Sequence, residues 1–145
     1  MRTPARPLDV AQHEAAHVVV GVALGLRVRL AQLDPPRPGW TRSGGVWFDG
    51  RSGTTEAWGL MLAAGVAWER ALRGHARGAA GDLAVLRSMH VHTAPRVRAL
   101  ELAAAALLAG LGPAHARVTR ALLERDLSGA DIAALAAGAR TVPTE

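Results

Sequence analysis
The chain has no cysteine, no tyrosine and no lysine, and only one phenylalanine among its 145 residues. Lack of cysteine removes disulfides, thiolate metal ligands and thiol nucleophiles together, so any bound metal falls to histidine and carboxylate side chains. Lack of lysine rules out a GxxxxGK[ST] phosphate-binding loop. Long apolar runs are missing as well: Leu102 to Leu111 falls well short of the roughly 20 residues that cross a bilayer. Near the amino terminus, Asp9, His13, Glu14 and His17 interrupt the apolar stretch that a secretory signal requires. These absences lead us to expect a cytoplasmic protein with no membrane partner.

Half of the residues are apolar, much of that Ala and Leu, a composition suited to packing between helices. A chain of this length buries one sizeable core, so a single domain spanning 1–145 is expected, with 1–7 and 141–145 as flexible tails. Basic residues outnumber acidic ones by 17 to 12. The arginines are scattered and not interleaved with aromatics, which argues against a nucleic-acid partner.

Asp9 followed by Gln12 suggests a capping box, with a helix running to about Gly25. Alternation over Leu26 to Leu33 and the apolar Gly45 to Asp49 predict two short strands that can pair as a hairpin, on either side of a sharp break at Asp34 to Gly39. Thr54 caps a long helix that ends before Gly74. Gly78 to Gly81 reads as a flexible joint. Further helices are predicted from Asp82, from Pro95 to about Gly110, over Pro113 to Asp126, and over Gly129 to Gly138 with Ser128 and Asp131 as a capping box.

HEAAH, at 13–17, falls on the first of these helices. Residues four apart share a helix face, so the imidazoles of His13 and His17 can converge on one cation. Glu14 is offset by about 100° and can reach a water beside that cation. Such a set suits zinc hydrolysis, with Glu14 as general base. The longer pattern HExxHxxGxxH is excluded, because Val20 and Ala23 stand where it needs Gly and His. A hydrolytic zinc site still wants a third protein ligand. Glu56, Glu69, Asp82, His75, His90 and His92 are the candidates.

The order of motifs resembles the peptidase domain of the FtsH-type ATP-dependent zinc metalloproteases. HEAAH is similar to that family's HEAGH, AGVAWER at 64–70 to its GGRAAEE helix, and GAAGDL at 78–83 to its GAxNDL segment. Ala16, Ala64, Val66 and Gly81 depart from the pattern. The resemblance, over about Leu8 to Met89, implies a predominantly helical α+β zincin-like fold with a small sheet beside the HExxH helix. It also implies a zinc ion held by His13, His17 and Asp82, with Glu14 catalytic. Val46, Trp47 and Phe48 would form the strand that binds a polypeptide substrate. Partners implied are a separate ATPase or adaptor and further copies of the chain in a ring. Two other readings of the sequence are a non-catalytic, zinc-stabilised partner-binding domain and a basic nucleic-acid-binding helical domain.

Overall fold
Pro7 opens the first helix, where its fixed φ and missing N–H suit a first-turn position. In the computed structural model, which describes residues 7–33, 45–49, 53–74, 79–88 and 93–138, this helix is α1, Pro7–Ala23. Asp9 therefore lies inside the first turn and is not the cap. There it still faces the positive end of the helix dipole. Gly25, at φ 82°, ends the helix. Leu26 N–H donates to the Gly21 carbonyl at 2.9 Å and Gly25 N–H to that of Val22 at 3.0 Å, closing a Schellman turn.

Strand β1 (Val28–Gln32) pairs antiparallel with β2 (Gly45–Phe48), with an irregularity between Val28 and Leu30. The predicted break at 34–39 lies outside the described residues. A third strand, β3 (Leu127–Ser128), adds to the other side of β1, giving the order β2-β1-β3. Two residues leave no periodicity to read, so nothing in the sequence marks this strand.

Helix α2 (Thr55–Arg73) has the predicted ends: the Thr54 side chain accepts from Ala57 N–H, and Gly74 stands at φ 75°. Helix α3 (Ala79–Ser88) starts before Asp82, so 79–81 are helical and not part of a joint, while Gly78 lies outside the described residues. That places Asp82 in the fourth helical position instead of at the start. The remaining helices are α4 (Ala94–Ala109), α5 (Gly112–Glu124) and α6 (Gly129–Leu135), with Pro in the first turn of α4 and α5. Ser128 and Asp131 form the capping box of α6, which ends three residues earlier than predicted.

The result is a predominantly helical α+β fold with a small antiparallel sheet. Helix α1 lies at its centre: Ala11, Ala15, Ala16, Val18, Val19 and Val20 are wholly buried. It packs chiefly on α2 and α5. The facing surface of α2 is built from small residues, among them Ala64 and Gly65, which lets the two axes approach closely. That close approach brings α2 groups within reach of the α1 imidazoles. No single helix among the described residues is long and apolar enough to cross a membrane.

Candidate metal centre
Burying two imidazoles costs free energy unless their nitrogens find partners. The outward-facing nitrogens do so on α2. His13 Nδ1–H donates to Glu69 Oε1 at 2.9 Å, and His17 Nδ1–H donates to the Met61 carbonyl at 2.7 Å. Both rings are thereby fixed in orientation and tautomer, with the Nε2 lone pairs turned inward. The two Nε2 atoms stand 3.1 Å apart.

Helix α3 brings Asp82 to the same point. Its Oδ2 lies 3.2 Å from each Nε2. When each ring is neutral and protonated at Nδ1, neither Nε2 has a hydrogen to give, and this buried oxygen then accepts no hydrogen bond among the described residues. In that neutral form the lone pairs of two imidazole nitrogens and one carboxylate oxygen face one another. Donors bound at about 2.0–2.1 Å around a tetrahedral zinc stand roughly 3.3–3.4 Å from each other. The observed separations of 3.1–3.2 Å fit that arrangement. A pair of imidazoles and one carboxylate suits a transition metal or zinc better than magnesium or calcium, which prefer all-oxygen shells. A tetrahedral ion held by these three residues would keep one position for a non-protein ligand.

Gly65 completes the cradle. A Cβ at this position would meet His13 Cε1 and Nε2 at 2.5 Å and His17 Nε2 at 2.8 Å. Glycine in mid-helix weakens the helix by roughly 0.5–1 kcal/mol relative to alanine, and here the missing side chain is what gives both rings room.

Without a cation the cluster takes up protons. Burial alone would lower the His13 pKa, but the carboxylates of Asp82 and Glu69 outweigh it and raise it to about 10. Burial also opposes charge on His17, whose pKa Asp82 nonetheless raises. Burial would raise Asp82, but the two imidazoles hold its carboxyl well below the usual carboxylate range. Protons and a divalent cation therefore compete for the same atoms. Cation affinity should rise about tenfold per pH unit for each proton displaced, and should keep rising above pH ~7, where a site of ordinary histidines levels off. Chelator-competition titrations across that range check this; a flat affinity above neutrality would contradict it.

Of the candidate third ligands, Asp82 alone among the described residues joins the histidines. Glu69 instead stands behind His13, and Glu56 is exposed in the first turn of α2. His75, His90 and His92 lie outside the described residues. Glu14 is half-buried on α1, and its charge acts on both imidazoles. Val46, Trp47 and Phe48 lie on β2, at the edge of the sheet. Trp47 is 39% exposed. Phe48 turns inward, edge-on to Trp58 at 5.4 Å.

His115 gave no signal in the sequence. It is buried on α5, stacks on Trp68 at 4.0 Å and donates from Nε2–H to the Gln12 carbonyl at 2.9 Å. Burial lowers its pKa and favours the neutral ring. The bond ties α5 to α1 one residue before His13. No family model matches the chain, and no curated protein is recognisably similar to it.

Proposed function
We propose that the chain is a zinc-dependent endopeptidase acting on flexible or unfolded polypeptide. The observation that carries this reading is the convergence of His13 Nε2, His17 Nε2 and Asp82 Oδ2 on one point, with the charge of Glu14 acting on both rings. Support also comes from the resemblance of the motif order to the FtsH-type peptidases. Zinc at such a site supplies Lewis acidity, lowering the pKa of a water molecule and polarising a substrate carbonyl.

The chain's own groups do the rest. Glu69 and the Met61 carbonyl hold the two rings in the tautomer that presents Nε2. Asp82 offsets positive charge at the centre. Glu14 takes a proton from the attacking water and delivers it to the leaving amine. An extended substrate adds to the outer edge of β2 through main-chain hydrogen bonds, with Val46, Trp47 and Phe48 alongside it. Recognition through the main chain gives little side-chain specificity. A cytoplasmic location and delivery of substrate by a separate ATPase or adaptor belong to the same proposal.

Zinc-loaded protein is expected to cleave an unstructured reporter polypeptide, to lose that activity on chelation and to regain it when zinc is restored. Zinc bound tightly with no cleavage of any flexible substrate would favour the non-catalytic, zinc-stabilised reading instead.

A further inference from the structure
Ala67, Arg70, Ala71 and Gly74 follow helical spacing along α2, on a face roughly opposite that of Gly65 and Glu69. They form the floor of a groove of about 820 Å³ walled by α3 and α4. The groove thus lies across α2 from His13 and His17, none of the three converging donors lines it, and its occupancy does not depend on the proposed chemistry.

Two properties define what fits it. Three of the four floor residues, Ala67, Ala71 and Gly74, are small, so a helical backbone can approach closely beside Arg70, while Leu83 and Val97 supply apolar walls. Leu102, 55% exposed, carries the apolar lining onto the rim. The charge is one-sided. The buried carboxylate of Glu101 pairs with Arg70 Nε and with Arg98 Nη1 through the same oxygen. One anion therefore answers two guanidiniums that are half exposed, and Arg87 adds a third cation to the lining. No other acidic residue lines the groove among the described residues. An apolar occupant alone would strip water from uncompensated positive charge, at a cost. An occupant carrying carboxylates beside its apolar stripe would cover the alanines and neutralise the arginines together.

We propose that this groove is a docking site for an acidic amphipathic helix of a partner protein. The probe is a fluorescent helical peptide with a leucine–alanine stripe flanked by glutamates, titrated with the full chain, beside the same peptide with every glutamate replaced by glutamine. The glutamate peptide should bind at least about tenfold more tightly than the glutamine one, and added salt should weaken it. Arg87→Glu should lower its affinity by about tenfold or more, and so should Leu102→Asp. Circular dichroism and zinc content should stay as in the wild type for both variants. Equal binding of the two peptides, no binding of either, or binding indifferent to Arg87→Glu would overturn the proposal. So would self-association of the chain that Arg87→Glu abolishes, because the occupant would then be a second copy.

Discussion

Replacing Gly65 with alanine is expected to weaken metal binding by about 10–100-fold while leaving the protein folded. In most helix interiors this substitution is mildly stabilising, by roughly 0.5–1 kcal/mol. Here the new methyl group would sit 2.5 Å from two His13 ring atoms and 2.8 Å from His17 Nε2. The rings have little freedom to yield, because each is anchored through Nδ1, to Glu69 and to the Met61 carbonyl. They can retreat only by giving up those bonds and separating the donor atoms. Zinc affinity should fall by about 10–100-fold, on the scale of losing the groups that orient metal ligands, with helical content unchanged. Competition against a chromophoric chelator, beside circular dichroism, measures both quantities. Wild-type affinity in this variant would mean that α2 does not press on the imidazoles as described.

The second large effect concerns Glu14. Glu14→Gln keeps the shape of the side chain and one accepting oxygen but cannot take up a proton. If Glu14 is the general base, cleavage should fall by about 10²–10⁴-fold. Zinc content should be undiminished, because the three converging donors belong to His13, His17 and Asp82. Loss of zinc in this variant would make Glu14 a ligand. Retained cleavage would remove it from the reaction altogether.

Local rules made much of the fold legible. The Thr54 cap, the left-handed Gly74 and the Ser128–Asp131 capping box each depend on a few neighbouring residues, and each is found where the sequence puts it. The four-residue spacing of His13 and His17 likewise guarantees a shared helix face. What sequence could not resolve depends on contacts between distant segments. Asp82 was one of six candidate third ligands on chemistry alone; its place beside the histidines depends on α3 starting at Ala79, which makes Asp82 a residue within the helix. The anchoring of His13 by Glu69 spans 56 residues, and that of Gln12 by His115 spans 103. Strand β3 exists because β1 offers a free edge, not because Leu127 and Ser128 carry a strand pattern of their own.

Gly65 illustrates the same division. A glycine in the middle of an alanine-rich helix looks like a local weakness. Only the packing of α1 on α2 shows that two imidazoles occupy the space its side chain would take. The polar requirements of the buried rings then account for Glu69, an ionisable residue on the buried side of α2.

Elemental analysis of the purified protein, beside Asp82→Ala, tests the central claim most directly. Convergence of the three donors on a zinc ion predicts about one zinc per chain in the wild type and its loss in the variant. Wild-type protein without stoichiometric metal, iron in place of zinc, or zinc undiminished by Asp82→Ala would contradict it.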